Sequence, residues 1–354
     1  MKSVAFAVGL LATGGTAFAA PASALNYPTN STRPGLNSLM KLNDGRYFGT
    51  AASTVHFNDS KWLSVLQDSD MFGSMTPESS QKWDATEPER GVFDFAAADL
   101  NVQKAQEAGQ MVRCHTLIWY NALPDWITSQ TWTNETLIAV MENHIKEVVT
   151  HFKGQCYSWD VVNEAVNDDG SYRETIWYNT IGPEYIAMAY NMVAKYDPDA
   201  KLYYNDYGIE FINNKTLGAI ALVKDLKEKG VKVDGVGIQG HYPVVLAPSY
   251  EDQVEVLQRF ADLGVEVATT ELDVFVEIPE KVEQVEMQTA IYADSVRACV
   301  DVPACVGVTV WGFYDPYSWV PGTVPGYGNA DLFWANWTAK PAYDAIVNAL
   351  LPKE

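Results

Sequence analysis

The sequence predicts a single-domain α/β protein, a closed (β/α)8 barrel of the TIM type. Two observations carry that expectation. Eight short, mostly apolar runs recur along the chain, and segments of helical periodicity separate them. Runs that are apolar throughout, rather than alternating, suit strands covered on both faces, as in a parallel sheet ringed by helices. Eight such units also fill the length a barrel of this kind takes, about 250 residues or more. A doubly wound open sheet could use the same alternation. It would place a glycine-rich phosphate loop after the first strand, and "RYFGTAAST" is not one.

In chain order the strands are expected at 46–51, 71–76, 111–119, 156–163, 201–205, 233–240, 265–273 and 306–313. Between the third and fourth marks, "NETLIAVMENHIKEVVTHF" places Leu137, Val140, Met141, Ile145, Val148, Val149 and Phe152 on one stripe, the spacing of a core-facing helix. "TLGAIALVKDLKEKG" repeats the pattern with Leu217, Ile220, Val223 and Leu226, and stops at Gly230. "SYEDQVEVLQRFADLG" and the segment after Lys281 behave alike, and a last helix runs from Pro341 toward Leu351. No internal repeat and no linker to a second domain interrupts the series.

Composition bounds the function. The chain has 354 residues, 47% of them hydrophobic, and a formal net charge of −21. That charge excludes nucleic acid as a partner, since phosphate binding needs clustered Lys and Arg. Residues 1–24 read as a secretory signal peptide, with a charged start, an apolar stretch and small-residue exits near 19–24. A polar segment, 25–40, follows, and the barrel is expected over 41–354. No later run is long and apolar enough for a membrane span. An extracellular, secreted protein is implied. Sequons stand at Asn30, Asn58, Asn134, Asn214 and Asn336. Cys299 and Cys305 are close enough in sequence to staple a short loop, which leaves Cys114 and Cys156 to pair or stay free.

Side chains at the C-terminal ends of barrel strands point into the bowl where such folds place their chemistry. "WDVVNEAV" puts Glu164 just past the fourth strand, and "ATTELDV" puts Glu271 at the end of the seventh. Two carboxylates across one rim suit glycoside hydrolysis, one protonating the leaving oxygen while the other attacks the anomeric carbon or activates water. "GIQGHY" adds Gln239 and His241. His241 would bond Glu271, with Asp273 orienting the imidazole, so that Glu271 stays ionised and Glu164 protonated. Trp83, Trp119, Trp126, Trp311 and Trp319 are expected near the same rim as a platform for sugar rings. No carboxylate spacing suggests a metal, and no cofactor is expected.

At this point the chain resembles glycoside hydrolase family 10, the retaining endo-β-1,4-xylanases. "TPESSQKWDATEPERGVFDF", "HTLIW", "LPDW", "WDVVNEAVNDDG", "YYNDYG", "GIQGHY", "TELDV" and "VTVWGFYDPYSW" occur in the family's order, from about Lys41 to Leu351. The resemblance implies Glu164 as general acid/base and Glu271 as nucleophile, supported by His241 and Asp273. It assigns Lys82, His115, Asn163, Gln239 and Trp319 to the sugar on the non-reducing side of the cut, and Glu78 and Trp311 to the sugar beyond. Trp119 joins the substrate contacts, and Tyr207 lies toward the leaving group.

Five positions depart from the family pattern: Ser79 for Asn, Tyr120 for His, Ala122 for Gln, Gly208 for Asn and Val320 for Arg. Each lost polar partner costs about 1 kcal/mol if a substrate hydroxyl is left unpaired. A retaining hydrolase acting on xylan stays the first reading, and the departures point to a different β-glycoside as the alternative. The partner is an oligo- or polysaccharide, or a glycosylated plant metabolite; some fungal members are tomatinases, which remove the sugar chain of α-tomatine. A non-catalytic carbohydrate-binding barrel is the minor alternative, because both glutamates and their relay are intact. Oligomeric state is not legible.

Overall fold

The computed structural model describes residues 33–352. The leader and Asn30 lie outside them. Eight parallel strands close a barrel: β1 (Tyr47–Ala52), β2 (Ser74–Pro77), β3 (Met111–Ile118), β4 (Ser158–Asn163), β5 (Lys201–Asp206), β6 (Gly235–Ile238), β7 (Glu266–Glu277) and β8 (Cys305–Val310). Each pairs in parallel with the next, and β8 returns to β1 through the register Tyr47↔Gly307 to Thr50↔Val310. Two short strands sit on the upper half of β7: His241–Pro243 runs parallel to it, and Tyr327–Gly328 antiparallel. All eight expected strands are present, with ends moved by a few residues.

The barrel interior explains two glycines. Tyr203 and Tyr47 lie across the inside of the barrel, each against a neighbouring strand. A Cβ on Gly235 would come within 2.3 Å of the Tyr203 ring, and one on Gly307 within 2.6 Å of the Tyr47 ring. Only glycine lets these rings fill the centre without moving backbone.

Helices ring the barrel. In Asn134–His151 the predicted stripe is the buried face, and Thr133 and Thr136 form a reciprocal cap at its start. In Asn214–Glu228 the stripe is rotated from expectation. Thr216, Ala219, Leu222, Val223 and Leu226 face inward, and Leu217 is 49% exposed. Two contacts fix that rotation. Lys215 turns inward to pair with Asp206 at 3.0 Å, and Gly218 packs against Gly170, where a Cβ would lie 2.5 Å from the Gly170 oxygen. A buried ion pair and a close backbone approach outrank the apolar pattern here.

The expected barrel boundary at residue 41 moves back to about 35. The helix Leu36–Lys41 buries Leu36, Leu39 and Met40 in the main core, and Asn37 accepts the Phe48 N–H at 3.2 Å. Disulfides join Cys299 to Cys305, tying the helix Val282–Asp301 to β8, and Cys114 to Cys156, tying β3 to the approach of β4. Among the described residues no helix is long and apolar enough to cross a membrane. The sequon residues Asn58, Asn134, Asn214 and Asn336 are exposed.

Candidate active site

Glu164 follows β4 directly and adopts φ 58°, the left-handed region that a residue with a Cβ enters at a cost. Neighbouring elements hold it there. Its N–H donates to the Asn205 carbonyl at 2.9 Å, and the next N–H, of Ala165, donates to the Tyr204 hydroxyl at 3.2 Å. Its carboxyl oxygen Oε1 accepts from Asn163 Nδ2 at 3.2 Å and Gln239 Nε2 at 3.0 Å. Both donors are amides at the ends of β4 and β6.

Glu271 points inward from β7. Oε1 accepts from Asn205 Nδ2 at 2.7 Å, and Oε2 lies 3.1 Å from His241 Nε2. The other ring nitrogen of His241 is 2.9 Å from Asp273 Oδ1, and Asp273 Oδ2 accepts from Trp319 Nε1 at 2.6 Å. Burial pushes the His241 imidazole down, but the Asp273 charge and its hydrogen bond, with Glu271 behind them, push it up to about 10. Burial likewise raises the Glu271 carboxyl. The hydrogen bond from His241, the charges of His115 and His241, and the Asn205 amide outweigh that and bring it down to about 2. The relay expected from the sequence is thus assembled.

Both glutamates line one cavity of about 220 Å³, and they are 7% and 5% exposed. Lys82, His115, Asn163, Gln239, His241 and Tyr207 share its walls with the rings of Trp119, Trp311 and Trp319. Lys82 Nζ sits 5.0 Å from the Trp119 ring centre. His115 Nδ1 is 2.9 Å from Asp160, which also holds Arg113 at 2.9 Å. Glu78 lines an adjoining small cleft that Trp311 also borders, where burial raises its carboxyl.

Two expected platform residues are elsewhere. Trp83 is 2% exposed, stacked on His144 at 3.6 Å and on Trp177 at 5.1 Å. Trp126 packs edge-on against Trp83 and donates to the Glu87 carbonyl at 3.1 Å. Trp83 is thus a core residue, and Trp126 is partly buried against that core.

The five departures also separate. Tyr120 lines the cavity; the other four do not. Val320 is fully buried with Phe275 and Ala330, while Thr323 at the end of the same short helix reaches the cavity. Ala122, at φ 50°, uses its carbonyl to accept the Asp84 N–H at 2.9 Å, and Asn121 lines the wall instead. Gly208 occupies a left-handed turn at φ 68°. Asn, the family's residue, tolerates the same conformation, so this exchange preserves the backbone rather than widening the site. Ser79 is exposed beside Glu78.

Three residues escaped the sequence reading. Asn205 bridges the two halves of the site, accepting from Thr270 Oγ1 at 2.6 Å and donating to both Asn163 and Glu271. Its signal was available: it pairs in register with Asn163. Asp206 sits behind Glu164, pushed up to about 6 by burial against the pull of Lys215. Arg173 comes from a loop and carries no pattern.

Two carboxylates on one wall-lined cavity, one of them held ionised by a histidine relay, can perform acid-assisted displacement at an acetal carbon. Comparison with known proteins agrees. The description "Glycosyl hydrolase family 10" matches residues 35–349. An endo-1,4-beta-xylanase 1 of Humicola insolens is 46% identical over 307 residues, covering 86% of this chain and 72% of its own. An endo-1,4-beta-xylanase 5 of Pyricularia oryzae is 47% identical over 317 residues, covering 89% and 78%. Among solved structures, native xylanase 10B from Thermotoga maritima superposes with a TM-score of 0.86 at 44% identity, covering 89% of this chain and 98% of its own. The Thermotoga petrophila xylanase 10B, in complex with xylobiose, gives 0.87 at 43%, covering 91% and 98%. On its fold, its site and these relationships, the chain belongs to glycosyl hydrolase family 10 and is an O-glycosyl hydrolase resembling the endo-1,4-β-xylanases.

Proposed function

We propose that the protein is a secreted β-glycoside hydrolase that cleaves xylan or xylo-oligosaccharides with retention, by double displacement. Glu271 attacks the anomeric carbon while Glu164 protonates the leaving oxygen. The glycosyl-enzyme ester is then hydrolysed by water that Glu164 deprotonates. The observation that carries these roles is His241, seated between Glu271 and Asp273. A carboxyl brought down to about 2 is an ionised nucleophile across the working range. Glu164 takes its hydrogen bonds from two neutral amides instead. In this reading Lys82, His115, Asn163, Gln239 and Trp319 hold the first sugar, Glu78 and Trp311 the next, and Tyr207 faces the leaving group. The choice of xylan is supported by the names of the relatives and by the xylobiose in one structural neighbour.

A second reading is favoured by Tyr120. Where the family places a His, this phenol ring joins Tyr207 on the cavity wall. An apolar aglycone, as in the steroidal glycoalkaloid α-tomatine, would suit that wall better than a second sugar. One experiment tests the chemistry and sorts the substrates. NMR of the first product released from xylo-oligosaccharide should show the β-anomer; an α-anomer would mean inversion and refute the mechanism. Release of oligosaccharide from α-tomatine, with weak turnover of xylan beside it, would select the second reading.

A further inference from the structure

Arg173 takes no part in the mechanism above, yet its side chain bonds the backbone of the acid/base directly. It sits in the loop that follows β4. Val166 and Tyr172 pair across that loop and turn the chain back beside Glu164. The Arg173 N–H donates to the Ala165 carbonyl at 2.7 Å, and Nε donates to the Glu164 carbonyl at 2.8 Å. Nη2 donates to the Tyr207 hydroxyl at 3.1 Å. The guanidinium carbon lies 4.4 Å from the Tyr120 ring centre. One planar, rigid group therefore joins the backbone of the acid/base to the two phenols on the leaving-group wall. A lysine could not make that fork.

The backbone at Glu164 needs such support. A non-glycine residue at φ 58° is strained, and the direction of its side chain follows from how the adjoining peptides are held. Arg173 holds the carbonyls of both Glu164 and Ala165.

Resting on the assignment of Glu164 as acid/base, we propose that Arg173 is a positioning residue for proton transfer. It aims the Glu164 carboxyl by fixing its backbone, and it links that aim to a leaving group seated against Tyr120 and Tyr207. Arg173 itself moves no proton. Its importance should scale with how much the leaving group needs one.

The test is a series of aryl β-xylobiosides, from dinitrophenyl to unsubstituted phenyl, turned over by the full chain and by its Arg173→Met and Arg173→Lys variants. Loss of well-aimed acid catalysis costs about 100-fold or more where a proton is required. Arg173→Met should lose about that in kcat/KM on the phenyl glycoside and stay within about threefold of wild type on the dinitrophenyl one. Partial recovery by Arg173→Lys on the phenyl glycoside would add support. Equal loss across the series, with a lowered Tm, would mean that Arg173 merely holds the loop, and no loss anywhere would also overturn the proposal. A wild-type enzyme that turned over none of the series would overturn the proposed function and this inference together. An active wild type with a flat Arg173→Met profile would overturn this inference alone.

Discussion

The two halves of the cavity are built from different materials. Around Glu271 the partners are charged or charge-aligned: His241, Asp273 behind it, His115 across the floor, and the Asn205 amide. Around the Glu164 carboxyl they are neutral or aromatic: the amides of Asn163 and Gln239, and the phenols of Tyr120 and Tyr207 on the adjoining wall, while the Arg173 guanidinium bonds the Glu164 backbone carbonyl. Both carboxyls are nearly buried, so burial alone does not tell them apart. What differs is whether a cationic side chain bonds the carboxyl itself. In the proposed mechanism the attacking carboxylate has such a partner, and the carboxyl that gains and loses a proton has dipoles.

The largest expected effects come from exchanging these halves. Glu271→Ala should abolish turnover of every glycoside, because no ester to the enzyme can form. Glu164→Ala should lose about 10²-fold or more on substrates with sugar leaving groups and far less on a dinitrophenyl glycoside, which departs without a proton. Steady-state kinetics on both substrate types checks the pair. If Glu271→Ala kept the activated substrate and Glu164→Ala did not, the halves would be interchanged.

A smaller effect sharpens the comparison. Asp273→Asn removes the anion that holds His241 protonated. His241 is then less firmly aimed at Glu271, the hydrogen bond that helps hold that carboxyl at about 2 weakens, and the carboxyl rises toward its ordinary 4.5. The acid limb of kcat/KM should move to higher pH, measured on a dinitrophenyl glycoside so that Glu164 does not contribute. An unmoved limb would mean that Asp273 serves Trp319 alone. Stability follows the same groups. The Glu271 contribution is present above pH 4.5 and fades as pH falls toward 2. The His241 contribution is complete below pH 6.5 and fades as pH rises through about 10. Wild type should therefore lead Asp273→Asn in Tm most clearly between those limits, near pH 4.5–6.5.

The same division marks what could be read from the amino acids. Glu164, Glu271, His241 and Asp273 stand at strand ends, where the barrel's geometry dictates direction, and all four meet in the structure. The barrel itself was legible because strands buried on both faces are apolar throughout. Direction was not legible off the strands. Trp83 and Trp126 follow the rim in sequence but turn into helices, and Val320 lies on a short helix whose inner face only tertiary packing defines. The rotation of the helix Asn214–Glu228 was set by a buried lysine, a residue that periodicity counts as outward, and by the close approach of Gly218 to Gly170. Arg173 acts from a loop through its backbone contacts, and no spacing rule reports those.

The central claim is that Glu271 alone carries the glycosyl group. A 2-deoxy-2-fluoro-β-xylobioside with a dinitrophenyl leaving group slows hydrolysis of the covalent intermediate, so the labelled peptide can be isolated and sequenced by mass spectrometry. One equivalent of fluorinated disaccharide should be found on the peptide containing "ATTELDV", attached at Glu271. A label on Glu164, or rapid turnover with no labelled peptide and an α-configured product, would contradict the account.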